Sequence, residues 1–345
     1  MKQILVIQTA SIGDVILATA VLEKLHKFHP EAQLDFMIKK GLEGLFEQHP
    51  FIHRLWVWDK SRKYRDLLRL LKLIRKERYD SVINIQRFLL TGLVTVFSGA
   101  METVGFSKNP LSLLFTKRIP HPVGPGIHET DRNQKLIASV TDEKPEKPRL
   151  YTPPLAPPQE GRGISGIPYP VSRIYYTISP ASLWFTKQFP AEKWVELITR
   201  ISDDAMVYLL GSADDYALCE RIREEGRKKR EEGRGKNLPE SEIRNLAGTL
   251  SLLESAALMR GARMNFTNDS APMHLASAVN APVTVVYCST TPDFGFGPLS
   301  DDSAVVEIRE SLECRPCGLH GWNSCPKSHF RCAYDIDPGR MASRL

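Results

Sequence analysis

No stretch of the 345-residue sequence holds the roughly 18 consecutive apolar residues that a membrane-crossing helix needs. The first residues, MKQILVIQTASIGD, run from a strand-like segment directly into a polar loop. The apolar core and small-residue cleavage site of a secretory leader are missing there, so the chain is expected to begin at Met1 and to stay in the cytoplasm. Neither sign of charge dominates, with 46 Lys and Arg against 40 Asp and Glu for a net charge of +6. Cysteine is scarce, and four of the six crowd between positions 314 and 332. What is present, 42% hydrophobic and 25% charged residues, suits a soluble protein with proper cores, and the length suits two domains.

The placement of the positive charge says more than its size. Much of it lies in residues 60–78 (KSRKYRDLLRLLKLIRKER), where Leu67, Leu68, Leu71 and Ile74 recur at helical spacing. A surface helix packing its apolar stripe on its own sheet accounts for this pattern. The outward basic face adds attraction to an anionic membrane or a phosphorylated acceptor, and the two readings are compatible.

Strand-like and helical runs alternate along the first half. Strands are expected over 4–7, 34–38, 55–58 and 81–85, with helices over 15–28, 60–78 and 89–97. Between 143 and 170, Pro145, Pro148, Pro153, Pro154, Pro157 and Pro158 are followed by Pro168 and Pro170 among glycines, a composition that reads as a linker. Alternation then resumes, with strands over 173–179, 206–211, 243–246, 263–267 and 283–287 and helices over 191–201, 214–229 and 252–260, plus a short one from about Pro272. The pattern implies two α/β halves, each a doubly wound parallel sheet, facing a cleft of variable width.

Three segments follow strands and so fall where such sheets bind ligands. In the first, residues 8–14 (QTASIGD), Thr9, Ser11 and Gly13 form a small polar loop, without the dinucleotide pattern G-x-G-x-x-G. Asp14 opens the next helix, either as a first-turn acid complementing the dipole or as a general base whose pKa the helix terminus lowers. In the second, residues 266–276 (FTNDSAPMHLA), the amides of residues 270–273 at a helix start suit a diphosphate. Capping explains Asp269 or Ser270 there, but not Asn268, Asp269 and His274 together. In the third, residues 179–194, Ser182, Thr186 and Lys187 offer two hydroxyls and a cation. Nothing in that segment resembles an Asp-x-Asp metal site, so Lys187 would balance a leaving phosphate, unless it is simply a solvated loop lysine.

These segments, with residues 128–133 (HETDRN) and the terminal Cys314-x2-Cys317…Cys325…His329…Cys332 pattern, resemble in order the lipopolysaccharide core heptosyltransferases of glycosyltransferase family 9. The likeness runs from Met1 to about Asp337, with Ala271 standing where the family usually has glycine. It implies a GT-B fold of two Rossmann-like domains: an acceptor-side domain over 1–145, a linker over 146–170, a nucleotide-sugar donor domain over 171–337 and a tail over 338–345. It also implies an inverting, metal-independent transfer from ADP-heptose to the lipid A-linked inner core. No cofactor or nucleic-acid partner is required, and a monomer working peripherally at the inner face of the inner membrane is expected. Asp14 would be the base and Lys187 would steady the diphosphate. Thr9, Ser11, Gly13, Ser182, Thr186, Asn268, Asp269, Ser270, Ala271, Met273 and His274 would line the donor.

The terminal cysteines have two readings of their own. Cys314, Cys317, Cys325 and Cys332 have a spacing that admits structural zinc, or they are reduced thiols packing an irregular tail. Cys219 and Cys288, in apolar contexts, read as core thiols. The rival functions are a transferase of the same fold using another nucleotide-sugar, and a non-catalytic binder of such a ligand.

Overall fold

The computed structural model of the chain describes residues 2–47, 49–152, 174–234 and 243–345. Two compact units emerge, Met1–Tyr151 with Asp293–Phe296, and Thr152–Pro292 with Gly297–Leu345. Much of the expected linker, together with Arg173 of one expected strand, lies outside the described residues. Among the described residues, no helix is long and apolar enough to cross a membrane.

The first unit strings together β1 (Gln3–Ile7), α1 (Ile12–Phe28), β2 (Gln33–Lys39), β3 (Ile52–Trp58), α2 (Lys63–Glu77) and β4 (Ser81–Asn84). It continues with α3 (Leu89–Phe97), β5 (Glu102–Phe106), β6 (Lys117–Ile119) and α4 (Glu129–Gln134). The sheet order is β3-β2-β1-β4-β5-β6, and every pairing is parallel. A parallel sheet is covered on both faces, which is why β1 is an unbroken apolar run from Ile4 to Ile7 with no exposed surface.

The second unit holds β7 (Tyr175–Ser179), α5 (Ala191–Ile198), β8 (Met206–Leu209), α6 (Tyr216–Arg234), β9 (Ile243–Asn245) and α7 (Leu252–Gly261). Then come β10 (Met264–Asn268), α8 (Ala271–Ala278), β11 (Val283–Tyr287) and β12 (Ser303–Glu307). Its order, β12-β11-β10-β7-β8-β9, repeats the first, again wholly parallel. Trp194 of α5 is fully buried, and the tail contributes Phe330, Cys332, Ile336 and Met341 to the same core. Cys219 and Cys288 are both buried, as core thiols should be.

Among the elements named above, three strands and one helix carry too little sequence signal to be expected, as do two four-residue helices of the tail, Arg331–Tyr334 and Gly339–Ala342. β6 (KRI) and β12 (SAVVE) are edge strands, where charge is tolerated and no apolar run is demanded. β5 and the six-residue α4 are too short to show a period. The stripe on α2 is also turned from its expected phase. Leu67, Leu70 and Ile74 are buried, whereas Leu71 is half-buried and Leu68 is exposed. Positions i, i+3 and i+7 share the inward face, and Leu68 falls about a quarter turn away from it.

Asn265 ties the second sheet together beneath its ligand end. Thr177 Oγ1 donates to its Oδ1 (2.5 Å), and its Nδ2 donates to the carbonyls of Met259 (2.9 Å) and Pro282 (2.8 Å). Asn265→Ala removes all three bonds, strands the buried Thr177 hydroxyl and leaves the Met259 and Pro282 carbonyls with one backbone donor each. It is expected to cost about 3 kcal/mol of unfolding free energy, read by urea denaturation.

Candidate active site

Strand order reverses between β1 and β4 in the first sheet and between β7 and β10 in the second. Chains leaving neighbouring strands at such a point cross to opposite faces, and their loops part to leave a crevice beyond the carboxyl ends. The residues expected from the sequence fall on those loops, at the strand ends that feed them or in the first turns of the helices they open, within each unit.

In the first unit, Ser11 caps α1 and forms a capping box with Asp14. Asp14 Oδ2 accepts from the Ser11 hydroxyl (2.5 Å) and amide (3.2 Å). Its other oxygen, Oδ1, accepts no hydrogen bond among the described residues. The capping role expected of Asp14 thus engages one oxygen and leaves the other uncommitted. The expectation that the helix terminus lowers its pKa is overturned: burial raises it above the ordinary aspartate value. Hydrogen bonds from Ser11 pull it down, the Glu129 charge pushes it up and Arg87 opposes that push.

The rest of the loop is scaffold. Thr9 is buried and donates to Gln86 Oε1 (2.9 Å), across the gap between β1 and β4. Lys60 donates to the Thr9 carbonyl (2.6 Å), and burial pushes its ammonium pKa down. Gly13 is buried in the first turn of α1.

Behind Asp14 stands a buried charge network that the sequence flagged only as a motif. Glu129 accepts from Arg132 Nε (2.7 Å) and contacts His121 Nε2 (3.3 Å), while His121 Nδ1 lies 3.5 Å from Arg87 Nη1. Burial pushes the Glu129 carboxyl up, but hydrogen bonds and charge from His121 and Arg132 outweigh it and hold the group lowered and ionised. Arg132 is fully buried and also donates to the carbonyls of Ile127 (2.7 Å) and Phe294 (2.9 Å). Nothing in the sequence pointed to His121 or Arg87, because the contacts that matter are 34 residues apart in one case and eight in the other.

In the second unit, Lys187 Nζ sits 2.7 Å from Asp269 Oδ2, which also accepts from Thr290 Oγ1 (2.7 Å). Ser270 occupies the N-cap of α8 without a side-chain capping bond. Of the four amides expected to converge there, Pro272 has none and Met273 donates to the Ser270 carbonyl (3.1 Å). Among the described residues, those of Ser270 and Ala271 have no acceptor, and they lie at the positive end of the helix. Ser182 is half-buried beside this end, its carbonyl accepting from Gln188 Nε2 (2.7 Å). His274 is buried in the second turn of α8.

Three residues expected to contact the donor make framework bonds within the unit. Asn268 is fully buried, its amide donating to Pro180 O (2.7 Å) and its Oδ1 accepting from Phe189 N (2.9 Å), which pins the loop carrying Lys187. Met273 points into the core, where Tyr287 donates to its sulfur (3.3 Å). Thr186 is buried. Its Oγ1 accepts from the Trp322 amide (2.8 Å) and from Ser289 Oγ (3.0 Å), and its own amide donates to Trp322 O (3.1 Å).

Thr186 thereby fastens the cysteine-bearing tail against Lys187. Cys317 N donates to Ser289 O (2.9 Å), and Arg315 grips the carbonyls of Cys288 and Thr290 (2.7 Å each). None of the four tail cysteines is joined in a disulfide. Cys332 faces the core, Cys317 donates its thiol to Cys314 O (3.0 Å), and Cys314 Sγ lies 3.7 Å from His329 Nε2. Among the described residues, no three His, Cys, Asp or Glu side chains gather as a metal-binding group.

Two parallel sheets of this order, each with its polar loops at the switch point, define the GT-B class of glycosyltransferase. The model of glycosyltransferase family 9 (heptosyltransferase) matches residues 67–320, and the chain belongs to that family. It is therefore an enzyme, a glycosyltransferase. Lipopolysaccharide heptosyltransferase 1 of Pseudomonas aeruginosa is 25% identical, with 99% of this chain and 97% of that protein aligned. Lipopolysaccharide heptosyltransferase 2 of Escherichia coli K12 is 23% identical over 89% and 88% of the two chains. Among solved structures, E. coli ADP-heptose LPS heptosyltransferase II superposes with a TM-score of 0.76 at 22% identity, covering 100% of this chain and 97% of that one. E. coli heptosyltransferase WaaC with ADP-2-deoxy-2-fluoro heptose gives 0.66 at 17% identity over 91% and 96%.

Two measurements check this geometry. The Asp14 carboxyl, followed by carbon NMR, is expected to titrate above the ordinary aspartate range. Glu129→Gln removes a nearby negative charge and is expected to move that titration downward. Gly321 has φ +80°, and a Cβ there would meet Lys187 Cγ at 3.0 Å and Thr186 Oγ1 at 3.1 Å. Gly321→Ala is therefore expected to shift the Lys187 amine signal in a carbon-13 methylated sample and to lower the melting temperature by a few degrees, on the order of 1 kcal/mol.

Proposed function

We propose that this transferase moves a heptose from ADP-heptose to the lipid A-linked inner core of lipopolysaccharide, with inversion and without a catalytic metal. The observation that carries the proposal is Asp14, a carboxylate at a switch point with one oxygen uncommitted and its proton affinity raised. A general base works best with a pKa near the working pH, and this environment moves an aspartate in that direction. Family membership supports the sugar, and the solved neighbour bound to an ADP-heptose analogue supports the nucleotide.

In this reading the first unit serves the acceptor and the second the donor. Asp14 Oδ1 takes the proton of the acceptor hydroxyl as its oxygen bonds to the anomeric carbon. The carbon–phosphate oxygen bond breaks in the same displacement, and ADP leaves with the electron pair. A single displacement inverts the anomeric centre and needs no covalent intermediate. The diphosphate occupies the amides of Ser270 and Ala271, with the Lys187 ammonium balancing the charge that grows on it. Asp269 keeps Lys187 aimed before the donor arrives and then accepts sugar hydroxyls, with His274 and Ser182 nearby. The chain acts as a monomer, in the cytoplasm at the inner face of the membrane, and takes no nucleic-acid partner.

Asp14→Asn is expected to lower kcat about a thousandfold while ADP affinity by calorimetry stays unchanged. A variant that keeps wild-type turnover would remove Asp14 from the chemistry. Because only the ionised base accepts a proton, kcat/KM is expected to rise with pH through the raised Asp14 pKa. The acid limb therefore lies above the usual aspartate range, and Glu129→Gln moves it to lower pH. Lys187→Ala is expected to raise the donor KM and lower kcat together, since it binds charge that grows in the transition state. Excess EDTA is expected to leave the rate unchanged. Turnover with hexose donors and none with ADP-heptose, monitored by mass spectrometry, would reassign the donor.

A further inference from the structure

We propose that α3 and the turn after β5, rimmed by the cations of α2, form the face by which the first unit docks on an anionic lipid bilayer. The inference rests on the lipid-linked acceptor proposed above and assigns the surface that meets the lipid. α3 (LLTGLVTVF) carries no charged residue at all. Thr91, Val94 and Thr95 turn inward and are buried, whereas Leu89 and Phe97 are about half exposed and Leu93 and Val96 partly so. A helix apolar on both faces leaves its outer one without a partner in water.

The outer face extends beyond the helix. Phe88 (65% exposed), Leu113 (79%) and Leu114 (62%) continue it at one end and Met101 (76%) at the other. Asn109 joins the turn to the helix, its Nδ2 donating to Phe88 O (3.0 Å), and Arg75 of α2 reaches Phe97 O (3.5 Å) at the far end.

The rim is positive. Arg65, Arg69, Lys72, Arg75 and Lys76 are exposed on α2. The two acids of that helix are already engaged, Asp66 by Arg69 and the Asp59 amide, Glu77 by Arg54. Of the five cations only Arg69 has an acidic partner among the ion pairs of the described residues, and an apolar crest beside such an excess of positive charge matches acyl chains beside anionic headgroups. A second copy of the chain would set like charges against each other, which disfavours that occupant. The crest also begins beside the acceptor loop, since Asn109 holds both Phe88 O and Gln86 O (3.2 Å), and Gln86 is the residue bonded to Thr9. A lipid-linked acceptor in the same bilayer would be presented to that loop.

The test is co-sedimentation of the full chain with phosphatidylcholine vesicles, with or without phosphatidylglycerol. Wild type is expected to bind the anionic vesicles, less so in high salt, and to ignore the neutral ones. The double substitution Leu113→Glu and Leu114→Glu is expected to weaken binding about tenfold or more. Lys72→Glu with Lys76→Glu is expected to remove the preference for phosphatidylglycerol. All four positions are exposed, so melting temperatures should match wild type, and turnover of a water-soluble acceptor without acyl chains should be unchanged. Vesicle binding that survives both pairs overturns the proposal. So does a lipid-free dimer in sedimentation equilibrium that the leucine pair abolishes, which would make the crest a self-association face. Vesicle binding as described, with no turnover of any donor by wild type, would instead sink the transferase reading and leave the docking surface standing.

Discussion

Parallel strands impose a constraint from which the rest of this structure follows. Each needs a crossover to reach the next, and all crossovers share one hand. A sheet can therefore grow in both directions only by starting again from its first strand. Here that restart separates β1 from β4 and β7 from β10, and at those two places alone adjacent strands send their chains to opposite faces. Asp14 and Gln86 flank one gap, and Lys187 and Asp269 flank the other. The chemistry proposed for this chain falls where the topology leaves the backbone unpaired and the side chains uncrowded.

Charge in the first unit is arranged in depth. Glu129 is buried at a cost that His121 and Arg132 offset, and its retained negative charge then acts on Asp14. A carboxylate that would be acidified by a helix terminus is instead made more basic by the protein around it. The same network consumes Arg132 on backbone carbonyls, including one from Asp293–Phe296, so the segment that follows β11 in sequence becomes part of the first unit's architecture.

In the second unit the tail serves a comparable purpose. An irregular segment with few apolar side chains is held by hydrogen bonds to Thr186, Ser289 and the carbonyls around Cys288, and it rests against Lys187. Thr186 and Asn268, which resemble ligand contacts when read as letters, are buried and spend their side chains on neighbouring loops, Thr186 accepting from Trp322 N and Ser289 Oγ and Asn268 donating to the carbonyls of Pro180 and Ala181. They fix the loop that carries the lysine. Polar residues near a site serve its geometry as often as its chemistry.

The alternation of apolar runs and the ordered motifs were sufficient to indicate two doubly wound halves and the family, because each depends on periodicity or on neighbours in the chain. The phase of the α2 stripe, the edge strands β6 and β12, the partners of Glu129 and the direction of the Asp14 pKa were not legible there. Those depend on which face meets the sheet and on how much water is excluded, quantities set by groups distant in sequence. Local pattern determined what the elements are, and only packing decided which side chains remain free to act.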